Sequence, residues 1–334
     1  MIESCGWRWA DMRRREFLGV LAATWPVAAR AQQPQRLAQI GYLRLTPAVQ
    51  SKRLEDTFLE GLRDFGYVEG RNLHIEYRST EGDEARIPVL LRELVDLNVD
   101  VIVVYATGVL AALRATKTIP IVMAAGPDLV ALGLVASLAH PGGNVTGSSF
   151  FLPELMAKRL ELLKELAPST TGAGVLLIRS DNNANGNILE VMGATAKALK
   201  VELHPIEASG PSEFDRAFAA WAKAQIGGFV MGDHALFTYN AGAIAALAAQ
   251  QRLPSIGPLS IPENGGLIGY GVNFSEIIRR AAYFVDKILK GTKPGDIPIE
   301  QPSKFRTVVN LKTAKAVGID VPASILLRAD QVIE

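Results

Sequence analysis

The chain has 334 residues, 49% of them hydrophobic and 21% charged, with a formal net charge of +1. That length and apolar content suit about two globular domains with a sizeable core, and the near-neutral charge argues against a nucleic-acid partner. Cys5 is the one cysteine, which excludes a disulfide framework, a Cys-based metal site and a catalytic thiol in the main body.

At the start, Arg13-Arg14-Arg15 precedes an apolar run over 17–29 that ends in Ala29-Arg30-Ala31. A basic region, a short apolar stretch and an A-x-A end are the parts of a signal peptide. The run is about 13 residues, short of the ~20 that span a bilayer. Arg14-Arg15-Glu16-Phe17-Leu18 has the look of a twin-arginine export signal, an address and not an anchor. Residues 1–31 are therefore expected to be removed on export to the periplasm. Cys5 precedes the apolar run, so lipidation is not expected, and Met12 offers a second start.

The body alternates strand and helix patterns. A short apolar strand over 38–43 is followed by a helix over 49–65, with Leu54, Phe58, Leu62 and Phe65 at helical spacing. A strand over 73–78 leads to a helix striped by Ile87, Leu90, Leu91, Leu94 and Val95. Val101-Ile102-Val103-Val104 reads as a parallel strand buried on both faces. A helix over 109–116, a strand over 119–123, a helix over 129–138 and a strand over 145–149 complete the first half.

Between them lies His140-Pro141-Gly142-Gly143-Asn144-Val145-Thr146-Gly147-Ser148. It matches neither G-x-G-x-x-G nor the P-loop, and reads as a turn and crossover and not as a phosphate cradle. The second half repeats the pattern: a helix over 154–166, with Met156, Leu160 and Leu163 on one face, and a strand over 174–178. A helix over 188–200, a strand over 201–206, a helix over 211–225 capped by Ser209 and a strand over 228–231 follow. A helix over 235–251 and short strands over 253–256 and 267–270 precede a strong helix from Asn273, stopped at Gly291. The tail holds a strand over 305–310 and a helix to Val317. Repeated βα units mean doubly wound parallel sheets, in two α/β lobes with a cleft between them.

In such sheets ligands bind beyond the carboxyl ends of the strands. Those ends carry Tyr105, Thr107 and Gly108, then Pro127 and Asp128, then Asp181 and Asn182, then Asp233, with Tyr270 at a late strand end. Thr107 opens a helix, where a hydroxyl and free N–H groups attract an anion such as a carboxylate, or where it is an ordinary N-cap. Asp128, Asp181 and Asp233 are candidates for pairing with an ammonium group, or for helix capping. Tyr42, Tyr105 and Tyr270 are candidates for stacking on a ligand, or core residues with a wet hydroxyl. G-x-S-x-G, H-E-x-x-H and a kinase set are absent. His74, His140, His204 and His234 lack metal-ligand spacing, and Asp233-His234 is the one pairing to test for acid/base work. No metal and no cofactor are expected.

Several segments resemble a known family. They are Gly61-Leu62-Arg63 with Gly66-Tyr67-Val68-Glu69-Gly70-Arg71-Asn72, Thr116-Lys117-Thr118-Ile119-Pro120, Gly133-Leu134-Val135-Ala136-Ser137-Leu138 and Pro141-Gly142-Gly143-Asn144-Val145-Thr146-Gly147. Late matches are Gly265-Gly266-Leu267, Ile288-Leu289-Lys290-Gly291 and Asn310-Leu311-Lys312-Thr313-Ala314. Together they resemble the ABC-transporter substrate-binding proteins of the group related to tryptophan-binding lipoproteins. The resemblance implies the type I periplasmic-binding-protein fold, with three crossovers at the hinge. It also implies a small polar ligand, an amino acid or related organic acid, trapped by lobe closure and delivered to a membrane permease. In the family an Asp-Pro pair commonly follows the fourth strand; here the order is Pro127-Asp128. The expected division is 36–149 plus 273–296 for the first lobe and 150–272 plus 297–334 for the second, in a monomeric, non-enzymatic protein. A sensory domain on the same fold and an α/β enzyme are the alternatives.

Overall fold

The first sheet is built from short strands that are apolar on both faces. The computed structural model describes residues 37–179 and 184–334; the expected signal peptide, Asp181 and Asn182 lie outside the described residues. Strand β1 (Ala38–Arg44) is followed by α1 (Ala48–Asp64), β2 (Leu73–Ser79), α2 (Ile87–Asp96), β3 (Val101–Tyr105), α3 (Gly108–Ala115), β4 (Ile121–Gly126) and β5 (Val145–Ser149). The strands are all parallel, in the order β2-β1-β3-β4-β5. Successive β3 side chains divide between two cores, as the two-residue period requires. Ile102 and Val104 pack with Leu90, Leu91 and Leu94 of α2, while Val101 and Val103 pack with Phe58 and Leu62 of α1.

The chain then crosses to a second unit of α4 (Leu152–Leu166), β6 (Gly172–Ile178), α5 (Ala184–Leu199), β7 (Glu202–Ala208), α6 (Phe214–Ala224) and β8 (Phe229–Met231). It continues through α7 (Ala235–Tyr239), α8 (Ala241–Gln250), β9 (Ser255–Gly257), α9 (Ser260–Glu263) and β10 (Ile268–Gly271). Helix α10 (Phe274–Leu289) returns to the first sheet, where Ile278, Ala282 and Val285 join its core. Close approach of α1 and α10 depends on Gly61, where a Cβ would sit 2.7 Å from the Arg279 carbonyl. The chain crosses a third time into β11 (Arg306–Asn310), α11 (Leu311–Val317), α12 (Ala323–Leu326) and β12 (Gln331–Ile333). The second sheet runs β12-β11-β10-β9-β8-β6-β7. It is parallel except for β10 against β11, because β11 enters from the opposite end after the return. Two α/β lobes joined by three crossovers result.

The Gly-rich segment ahead of β5 works as a clamp for the third crossover. The Asn144 amide donates to the carbonyls of Thr116 (3.3 Å) and Ile119 (2.8 Å), and Gly142 N–H donates to Gly295 O (3.1 Å). Thr146 Oγ1 donates to Ile297 O at 2.9 Å, and Glu300 exchanges backbone hydrogen bonds with Gly147 and Ser149. Gly147 has φ +133°, and a Cβ there would lie 2.0 Å from the Met123 carbonyl oxygen. Ile297 and Ile299 are buried in the first lobe's cores, so the third crossing falls after Glu300, not after residue 296.

Three helix expectations change. Residues 129–138 form turns, because the Asp128 carboxylate takes the N–H groups of Val130 and Ala131 and the chain folds back so that Leu134 N–H donates to Leu129 O. Leu132 and Leu134 point outward, 51% exposed. The helix expected over 235–251 breaks at Asn240, whose amide donates to Leu236 O. Ser209 does not cap as an acceptor; its N–H and hydroxyl both donate to the Glu213 carboxylate, the reverse half of a capping box.

Candidate functional site

Every candidate in the first lobe leaves a strand at its carboxyl end. After β1, Thr46 Oγ1 and Ser51 Oγ share a 2.8 Å hydrogen bond, and Leu45 N–H donates to the Tyr105 hydroxyl at 3.3 Å. Burial, only partly offset by the Leu45 N–H, pushes the Tyr105 phenol up to about 12, so it stays protonated. Beneath them Arg44 holds Glu55 with two bonds, 2.5 and 2.8 Å, and lies 4.1 Å over the Tyr77 ring. Tyr42 is a core residue, packed 5.4 Å from Phe58.

After β3 the backbone turns through Ala106 at φ +48°, a left-handed conformation that costs a non-glycine residue about 1 kcal/mol. This turn delivers Thr107 and Gly108 to the first turn of α3. Thr107 does not cap the helix with its side chain: its Oγ1 is buried and has no hydrogen-bond partner among the described residues. Gly108 is buried, and a Cβ there would touch Leu43 at 3.1 Å, so the helix start lies close against the sheet. After β4, Pro127 O accepts from Ser149 Oγ at 3.3 Å, and Asp128 is spent on the two N–H groups named above.

The second lobe is organised by a residue that motif reading passed over. Arg159 of α4 is fully buried. Its Nε and Nη2 donate to Tyr270 O at 2.9 and 2.7 Å, and its Nη1 donates to Met231 O at 2.7 Å and to Asp233 Oδ2 at 2.5 Å. One guanidinium thus ties the ends of β8 and β10 together and neutralises Asp233. The signal was available: Arg159 sits on the apolar stripe of Met156, Leu160 and Leu163, where a charge needs a buried partner. Tyr270 stacks on Phe305, with centroids 5.9 Å apart and 13° between planes; burial raises its phenol.

Asp233 and His234 turn apart and make no acid/base pair. His234 reaches the other lobe, where its Nε2 lies 3.1 Å from Glu84 Oε1. Its Nδ1 accepts the Leu236 N–H at 3.2 Å, so Nε2 carries the ring proton and donates to Glu84. Burial works to raise the Glu84 carboxyl, but the His234 ring, through its hydrogen bond and its charge, and then the nearby Thr107 hydroxyl hold it below its ordinary range. At the other end of α7, the Tyr239 phenol is directed to Thr46. Phe150 and Phe274, on the first two crossovers, pack 5.4 Å apart, next to Tyr105. The strand ends of both lobes therefore face one cleft, and the lobes touch across it.

The chain matches the family described as ABC transporter substrate binding protein over residues 47–333. It belongs to that family. A tyrosine-binding protein of Clostridioides difficile is 28% identical over 285 residues, covering 84% of this chain and 81% of the relative. A conserved domain protein from Vibrio cholerae has a solved structure with 28% identity and a TM-score of 0.80, covering 89% of this chain and 100% of that one. The solved structure of an ABC domain in complex with L-Trp from Streptococcus pneumoniae gives 26% identity and a TM-score of 0.77, covering 88% and 100%. The two-lobed, three-crossover architecture is that of the type I periplasmic binding proteins. Among the described residues no three His, Cys, Asp or Glu side chains gather as a metal site, and no helix is long and apolar enough to cross a membrane.

Proposed function

We propose that this protein is the exported solute receptor of an ABC importer and that it captures an amino acid between its lobes. The observation that carries the reading is a polar cleft at the strand ends of both lobes, bridged by His234 and Glu84, in a member of this family. The tyrosine-binding relative and the L-Trp complex direct it to amino acids with an aromatic side chain. The ligand carboxylate is received by the Thr107 hydroxyl and the free N–H groups at the start of α3, where the helix dipole favours an anion. Gly108 lets the start of α3 lie close against the sheet, and Tyr105, with Phe150 and Phe274 behind it, offers an aromatic wall. Pro127 and Asp128 form the rim of the first lobe. Asp233 and Tyr270 form the facing wall. Hinge motion about the three crossovers encloses the ligand and presents the closed form to a permease. The protein acts as a monomer without cofactor, and residues 1–31 direct it to the periplasm.

Isothermal titration against the twenty proteinogenic L-amino acids tests the ligand class. Binding of L-tryptophan or L-tyrosine is expected, with a Kd in the micromolar range or below; no binding by any of the twenty at about 1 mM sinks the reading. Thr107→Val is expected to weaken binding about tenfold. Cell fractionation with Arg14→Lys and Arg15→Lys together tests export, which is expected to stop.

A further inference from the structure

An amino acid brings two opposite charges one carbon apart, so the groups that receive them must be neighbours. If the carboxylate lies at Thr107 and the start of α3, its ammonium needs an anion beside that turn. Three carboxylates at nearby strand ends already have partners within their own lobe. Glu55 is bound twice by Arg44, Asp128 holds two backbone N–H groups, and Asp233 is paired with the buried Arg159. Each of these partners stays in place whether the cleft is open or shut.

Glu84 differs. It opens the 3₁₀ turn Glu84–Arg86 after β2 and stands beside Thr107. Its bonded partner comes from the other lobe, and that partner is the Nε2–H of an imidazole whose Nδ1 is held as an acceptor by Leu236 N–H. When the lobes part that partner is withdrawn, and the carboxylate's negative charge is left standing in the cleft. The buried Thr107 hydroxyl lies next to it, which gathers two polar groups at one point.

We propose that Glu84 is the group that reads the ligand's ammonium, with Thr107 beside it for the carboxylate and His234 closing over both from the second lobe. This rests on the amino-acid reading above and assigns the amine to the first lobe, not to an aspartate of the second. The ligand class follows: a carboxylate with an ammonium on the adjacent carbon, bound in preference to the same acid lacking the amine.

The test takes the tightest binder of the twenty L-amino acids and its des-amino carboxylic acid, titrated into the protein and into Glu84→Gln. The protein is expected to prefer the amino acid. Glu84→Gln, which keeps the hydrogen bonding and removes the charge, is expected to lose about tenfold or more in amino-acid affinity and to narrow the preference by the same factor. Glu81→Gln, on the exposed loop ahead of that turn, controls for the general field and is expected to change neither. His234→Ala is expected to weaken both ligands while leaving the preference in place. A Glu84→Gln protein whose preference is undiminished, while the unaltered protein binds amino acids, overturns the assignment alone. Failure of the unaltered protein to bind any amino acid overturns the functional reading and this assignment with it.

Discussion

In the second lobe Asp233 leaves β8 and meets a guanidinium that is fully buried and bonded to three acceptors; in the first lobe Glu84 follows β2 and meets an imidazole from across the cleft. Both are carboxylates near strand ends, both are part-buried, and sequence context makes them look alike. Their partners separate them. Asp233 is matched by a cation on its own lobe, so its charge is architectural and holds β8 to β10 in every state of the hinge. Glu84 is matched only when the lobes meet, so its charge is available to whatever enters. The acid paired within its own lobe serves stiffness, and the acid paired only across the cleft is the one proposed for recognition.

The largest expected effect comes from breaking the matched side. Arg159→Met leaves Asp233 buried without its cation and three carbonyl bonds unmade, and is expected to cost about 3–5 kcal/mol in urea unfolding. A loss below about 1 kcal/mol would mean that the pair is not architectural. Next is the clamp of the first lobe. Gly147→Ala puts a Cβ onto the Met123 carbonyl in a left-handed backbone and is expected to cost about 2 kcal/mol or more in the same measurement. Full stability in that variant would show that the edge beside the third crossover yields.

Glu84→Gln sharpens the contrast from the other direction. Its side chain is 37% exposed, so its loss is expected to change stability by less than about 1 kcal/mol while ligand preference moves. A large loss of stability would make Glu84 a second Asp233. The smallest effect is at Glu213, beyond the ends of β6 and β7. The Ser209 N–H, then Arg179, lower its carboxyl to about 2. Depressed in the folded state, it contributes stability that is fully present above its ordinary range near 4.5 and is lost as pH falls toward 2. Stability of the protein minus that of Glu213→Gln, followed over that window, is expected to shrink with acid. A constant difference would place the Glu213 interaction outside folding.

Much of the fold was legible because it is written in local periodicity. The β-branched run at Val101–Val104 did become a doubly buried strand, and the stripe of Ile87, Leu90, Leu91 and Leu94 did become the buried face of α2. Where the pattern misled, a polar competitor had won. The stretch over 129–138 looks helical in sequence, but Asp128 spends its carboxylate on the backbone there and a turn results. Strand β12 and helices α9 and α12 are only three or four residues long, too short for a period to register.

The candidate site was legible only as a set of strand ends. Tyr105, Thr107, Gly108, Pro127, Asp128, Asp233 and Tyr270 do stand at the carboxyl ends of their strands, because a parallel strand must finish there whatever its neighbours are. Which of them are occupied was not legible. Arg159 is 74 residues from Asp233 and 111 from Tyr270, and Glu84 is 150 from His234. A hydrogen bond or an ion pair acts over a few ångströms with no regard to chain separation, so composition and spacing carry no trace of it. The sequence by itself determined the alternation of strands and helices, the two lobes and the rim from which ligand groups project. Only the tertiary structure decided that one acid on that rim is paired within its own lobe and another only across the cleft, since charge compensation depends on distances that exist only once the lobes have packed.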